Sequence, residues 1–244
     1  MIPKIIHCCW FGGTQIPQSV SRYIANWQSK LPDYQLMVWT EKEFNITKAP
    51  IYVQQAYECK KFAFVSDYVR LYALHKYGGV YMDTDVEVVK TLDSFLHHSA
   101  LIGFECEDRL STAFIASISG ALWIGELMDE YKSRVFVKDG RMDLTTNVEH
   151  VTRYFKQHGL QVGGEKQTVG DVEVFPSEYF SPKSWNTGKY NITDNTVVIH
   201  HFSGTWHSPL TQFLSVFFSN NTIVKIASIK ERVVKMLKNV RSKN

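Results

Sequence analysis

The stretch that most narrows the possible folds is residues 62–85, "FAFVSDYVRLYALHKYGGVYMDTD". Phe64, Val65, Tyr68, Leu71, Tyr72 and Leu74 recur at helical spacing in a wide apolar stripe, which predicts a helix over 57–77. Gly78 and Gly79 stop it in the manner of a glycine C-cap. "GVYMD" at 79–83 follows as an apolar strand, and strands alternating with helices imply a mostly parallel sheet with helices packed on it. Ligands of such sheets bind beyond the carboxyl ends of the strands. Asp83 and Asp85 stand at that end.

The rest of the chain continues the alternation. Residues 4–10 read as a buried strand stopped by Gly12 and Gly13, 17–30 as a helix opened by Pro17, and 34–39 as a second strand. Further strands are expected at 100–105 and near "VEVFP", further helices at 121–136 and 146–158, and a last core strand at 196–202, "TVVIHHF". The expected fold class is α/β, a single Rossmann-like domain over residues 1–224 with a mostly parallel mixed central sheet flanked by helices; 244 residues can bury such a core. Residues 225–244 set Ile226, Ile229, Val233 and Leu237 opposite a basic face, giving a C-terminal basic amphipathic helix. It either lies on an anionic membrane surface or packs on the core with its charges in water.

A net charge of +3 gives no basis for a nucleic-acid partner, and 14% aromatic residues argue against disorder. Cys8, Cys9, Cys59 and Cys106 have neither paired nor zinc-like spacing, which fits a reducing compartment. "IPKIIHCCWFGG" begins almost at Met1 and leaves no room for a leader, and no later apolar run approaches the ~20 residues that span a bilayer. The expectation is a cytoplasmic protein, with peripheral contact at the cytoplasmic face of the inner membrane on the membrane reading of residues 225–244.

Like charges at Asp83 and Asp85, at the tip of an apolar strand, are either a solvated acidic turn or, as the strand and the capped helix before it favour, a pair with something positive between them. Residues i and i+2 share a strand face, and ending the strand at Thr84 lets both carboxylates approach one ligand. Hard oxygen ligands suit Mg²⁺ or Mn²⁺, which keep positions for water and for substrate phosphate. His200 and His201 face opposite ways, so at most one looks into the site; the other reading is a buried histidine bonded to backbone. Trp10 is either a platform for a base or sugar ring or plain core. Asp67 and Arg70 share a helix face, as a structural ion bridge or as a grip on sugar hydroxyls. Two other classes compete. A haloacid-dehalogenase-type phosphatase wants Thr or Val where Glu87 stands, and a noncatalytic carbohydrate-binding module does not need a buried acidic pair.

Three stretches, "IPKIIHCCWFGG", "FAFVSDYVRLYALHKYGGVYMDTDVEVVKTLD" and "IHHFSGTWH", occur in an order that resembles glycosyltransferase family 32, D-x-D sugar transferases that include enzymes of bacterial capsule and O-antigen synthesis. More distantly they resemble the catalytic domains of large clostridial glucosylating toxins. The resemblance implies a GT-A fold, a nucleotide-sugar donor, Mn²⁺ or Mg²⁺, and a retaining enzyme that moves a hexose or N-acetylhexosamine to a glycan or lipid-linked oligosaccharide. It implies that Asp83 contacts the donor's ribose and sugar, that Asp85 binds the metal, that Asp67 and Arg70 hold the donor sugar, and that Trp10 stacks on the nucleobase, favouring uridine. It also implies that His201 is a metal ligand and that the indole N–H of Trp206 reaches a phosphate oxygen. Gly204 stands where relatives carry a hydroxyl, so Ser203 or Thr205 would substitute, and Cys8 and Cys9 replace the usual aromatic or aliphatic residues.

Overall fold

The computed structural model describes residues 1–203. The chain opens with β1 (Ile5–Cys9), α1 (Gln18–Lys30) and β2 (Gln35–Trp39), then α2 (Ile51–Glu58), α3 (Phe62–Tyr77), β3 (Gly79–Met82) and β4 (Val86–Val88). β5 (Ala100–Cys106), β6 (Arg109–Ser117) and α4 (Leu122–Ser133) follow, then a small hairpin of β7 (Val137–Lys138) and β8 (Arg141–Met142), and α5 (Asn147–Gln157). β9 (Gln167–Val169), β10 (Val172–Phe175), α6 (Ser177–Phe180) and β11 (Val198–His200) complete it.

Seven strands form one sheet in the order β2-β1-β3-β6-β5-β10-β9. β1 pairs in parallel with β2 and β3, and β5 with β10, while β6 and β9 run against their neighbours. This is the α/β architecture with a mostly parallel mixed sheet that was expected. The pleat sends alternate residues to two cores. Tyr81, Ile102 and Ile115 pack with α2, α3, α4 and α5. Val80, Met82, Leu101 and Phe114 pack on the other face with Trp27 of α1, Phe180 of α6 and the β4–β11 ribbon.

Three expectations change, and one strand carries no signal in the sequence. The helix expected over 57–77 begins only at Phe62, and residues 57–58 close α2, which ends in a Schellman turn: Lys60 adopts φ +55°, Lys61 N–H bonds Ala56 O (2.8 Å) and Lys60 N–H bonds Tyr57 O (2.9 Å). The run 196–202 yields only the three residues of β11, and these pair with β4 in a separate two-stranded ribbon rather than closing the core sheet. The helix expected over 121–136 stops at Ser133. β6, at the centre of the sheet, had no strand signature, since Ser111, Thr112 and Ser117 interrupt its apolar run, and all three are buried. The domain boundary at 224 and the helix over 225–244 lie outside the described residues.

Candidate active site

β3 brings the acidic pair to the carboxyl edge of the sheet. Its ladder continues one residue further, with Asp83 N–H on Ala113 O of β6 (2.9 Å), and Val86 N–H on Asp83 O (3.0 Å) then closes a tight turn through Thr84 and Asp85. This turn lets two like charges leave one strand end in different directions.

Asp83 is held from the α3 side. Its Oδ1 accepts the Tyr81 hydroxyl at 2.9 Å and lies 3.4 Å from Arg70 Nη2. The same Arg70 nitrogen donates to Asp67 Oδ1 at 2.8 Å, Arg70 Nη1 donates to Thr112 O, and the guanidinium lies 4.6 Å over the Tyr81 ring. Burial pushes the Asp67 carboxyl up to about 6 against the opposing pull of Arg70.

Asp85 is held by the end of the described chain. Its Oδ1 lies 3.3 Å from His200 Nε2, and its Oδ2 accepts both the backbone N–H and the hydroxyl of Ser203, at 2.7 and 2.8 Å. Burial works against its charge, but His200 and the Ser203 donors outweigh burial and hold the carboxyl well below the usual range. At His200 burial is in turn outweighed by Asp85 together with the charges of Asp83 and Glu105, and the imidazole is raised. His200 is therefore the histidine at the acidic pair, in place of the expected His201. The His201 imidazole turns the other way, Nε2 bonding Glu87 Oε2 at 2.8 Å with the Tyr23 ring 5.4 Å away. Consecutive residues of an extended segment point to opposite faces, and the pairing of β11 with β4 decided which.

Trp10 follows β1 at the same edge. It is half-buried, with its indole N–H on Thr14 O (2.9 Å), beside a loop whose Gly12 N–H is fixed by Glu41 Oε1 (2.7 Å). Trp206 and Thr205 lie outside the described residues. Two further groups, Tyr81 and Glu105, belong to the site. Tyr81 stands two residues before Asp83 and so on its face, a signal that was legible. Glu105, at the end of β5, is raised by burial and feels the charges of His200 and Asp83. Only the sheet order, with β5 one strand beyond β6, brings it there.

Residues 17–102, which include Asp67, Arg70, Asp83 and Asp85, match the family described as "Glycosyltransferase sugar-binding region containing DXD motif". The matched region takes in the acidic pair and its neighbours on α3, and there the chain is similar to the DXD glycosyltransferases. Over 111 residues, 41% of this chain and 29% of the relative, the sequence is 36% identical to inositol phosphoceramide mannosyltransferase 3 of Schizosaccharomyces pombe. It is 24% identical to an uncharacterized glycosyltransferase of Acanthamoeba polyphaga mimivirus over 93% of this chain and 92% of that one. The chain thus spans under a third of the yeast protein and nearly all of the viral one. A solved glycosyltransferase involved in the glycosylation of the major capsid of PBCV-1 aligns over 86% of this chain and 97% of its own, with a TM-score of 0.49 and 10% identity.

Proposed function

We propose that this protein is a retaining, metal-dependent glycosyltransferase that moves a hexose or N-acetylhexosamine from a UDP-sugar to a glycan acceptor carried on a lipid, as in capsule and O-antigen synthesis. The observation that carries the reading is the D-x-D pair at the carboxyl end of β3, each carboxylate held in place by donors of the chain itself, inside the matched sugar-binding region. The similarity to an inositol phosphoceramide mannosyltransferase supports a lipid-borne acceptor. Such an acceptor gives the basic residues 225–244 a use at the cytoplasmic face of a membrane.

The donor set fits Mg²⁺ or Mn²⁺: Asp85 is held ionised, and Asp83 shares the turn with it. Among the described residues no three His, Cys, Asp or Glu side chains are grouped as a ready cage, and Asp85 is foremost of the ligands these residues would supply. When bound, the cation neutralises charge growing on the departing diphosphate. The chain's residues do the rest. Asp83 orients ribose and sugar, Asp67 takes a sugar hydroxyl, Trp10 stacks on the base, and Trp206 donates its indole N–H to a phosphate oxygen. No carboxylate is assigned as nucleophile; transfer is front-face, with the leaving phosphate taking the acceptor's proton.

The test is to incubate the chain with a panel of nucleotide sugars, with Mn²⁺ and with chelator, and to measure nucleoside diphosphate release. UDP release from at least one donor, abolished by chelator, is the expected result. Release from none of them, or release that chelator leaves untouched, overturns the reading.

A further inference from the structure

We propose that the β7–β8 hairpin anchors the acceptor: Lys138 and Arg141 take the phosphate that joins the acceptor glycan to its lipid, and Met142 meets the first carbons of the lipid chain. The proposal rests on the lipid-borne acceptor read above and deepens it.

Lys138 and Arg141 are direct cross-strand partners. Between them Asp139 has φ +51° and Gly140 φ +69°, as a type I′ turn requires, so the register is fixed and the two cations share one face of the ribbon. Like charges directly opposite destabilise a ribbon, and this one has only two residues on each side to hold it. Among the described residues neither cation has an ion pair, while Asp143 beside them is taken by Arg134 Nη2 at 2.8 Å. Two cations against the carboxylate of Asp139 leave an excess of positive charge, and an anion placed between them removes the repulsion. The pair does not stand on a flat surface: with Asp139, Met142 and Asp143 it lines a cavity of about 510 Å³. Met142 is 45% exposed and Leu144, two residues on, 51%. Apolar side chains next to paired cations suit a ligand in which a phosphate adjoins a hydrocarbon chain.

The hairpin is tied to the donor side of the cleft. Gln55 of α2 receives the Phe136 and Val137 N–H groups at one Oε1 (2.9 and 3.0 Å), which fixes the start of β7. Just before it, the Arg134 guanidinium lies 4.5 Å over the Tyr52 ring and 4.9 Å over the Tyr131 ring, and Tyr131 is 5.3 Å from Tyr68, the residue after Asp67. The charge of Arg134 reaches the Asp67 carboxyl itself. A glycan running from the hairpin past Arg134 therefore arrives beside the residue assigned to the donor sugar. A membrane surface would be met as well by basic residues on an open face; a cavity with a carboxylate at its turn selects a single phosphate.

The probe is dihexanoylphosphatidylinositol below its micelle concentration, titrated by calorimetry into the chain with chelator present, so that no cation at the acidic pair can hold a phosphate. The native chain should bind it. Lys138→Gln and Arg141→Gln should each weaken binding about fivefold, the upper range for an exposed ion pair, and Asp139→Asn should tighten it. Added salt should lower the affinity of the native chain and leave the double Gln variant unmoved. All three side chains are exposed, so these variants keep the fold, which circular dichroism checks. Inorganic phosphate should bind through the same two cations more weakly; equal affinity for phosphate and lipid overturns the lipid assignment. No binding of the probe, or binding that both Gln variants leave unchanged, overturns the proposal. So does retention on phosphatidylcholine–phosphatidylserine vesicles, lost in the double variant, by a chain that ignores the soluble probe, since that is a membrane contact. Failure here and failure of the transferase reading are distinguishable. Probe binding that depends on Lys138 and Arg141 in a chain that releases no UDP keeps the hairpin site and removes the transfer reaction; UDP release without probe binding does the reverse.

Discussion

Asp85 and Asp67 are both carboxyls taken out of water at one site, and their neighbours decide what becomes of the charge. Asp85 faces His200 and two donors from Ser203 and stays ionised to low pH. Changing Asp85→Asn should therefore lower diphosphate release by at least about 10²-fold, the scale of losing one preorganised charged group, in a steady-state assay with saturating Mn²⁺. Asp67 has Arg70, which it shares with Asp83, and burial prevails, placing its carboxyl at about 6. Its folded pKa lies above the ordinary carboxylate value, so the folded chain binds more protons than the unfolded one in between. Asp67 thus favours folding at acid pH, and that contribution disappears as pH rises through about 6. In urea unfolding between pH 4 and 7, native stability should fall relative to Asp67→Asn by on the order of 2 kcal/mol.

Among the elements, the junctions carry the argument. The helix expected over 57–77 runs back past the start of α3 because residues 59–61 hold no glycine or proline to stop it. The break rests on Lys60, an L-residue at φ +55° in the place where Schellman turns usually carry glycine. Lys60→Gly removes that strain and should raise stability by about 0.5–1 kcal/mol, read from the denaturant midpoint at constant slope. The break lets α3 take its own course beneath β3, with Arg70 under Tyr81. The second junction, Gly78 and Gly79, could hold no other residue cheaply: at Gly79, with φ +105°, a Cβ would lie 2.6 Å from Ile5 O. Beside it the buried His7 bonds Gly78 O through Nε2 (2.8 Å) and accepts from the Trp39 indole at Nδ1 (3.2 Å), tying β1 and β2 to the point where β3 begins.

At the scale of the whole molecule, the site draws on segments far apart in sequence: Trp10 after β1, Arg70 on α3, Asp83 after β3, Glu105 on β5, and His200 with Ser203 at the end of the described chain. A ligand that binds across them stabilises the folded state by mass action. UDP with Mn²⁺ at about a hundred times its dissociation constant should add roughly 2.7 kcal/mol, or about 5–10 °C in the thermal midpoint of a chain this size. Chelator should remove most of that gain in a melting experiment with UDP still present.

The helix ending in Gly78, the strand that follows and the acids at its tip were all legible in the sequence. Helical spacing, a cap and a strand end are relations between neighbours in the chain, and local chemistry decides them. Tyr81 could have been read the same way, being two residues from Asp83. Which histidine turns toward Asp85, the place of β6 between β3 and β5, and the burial of Arg70 behind Asp83 could not. These depend on which distant segments pair and which faces they turn to each other, so only the tertiary structure decided them; pairing β11 with β4 put His200 at the acid and sent His201 to Glu87.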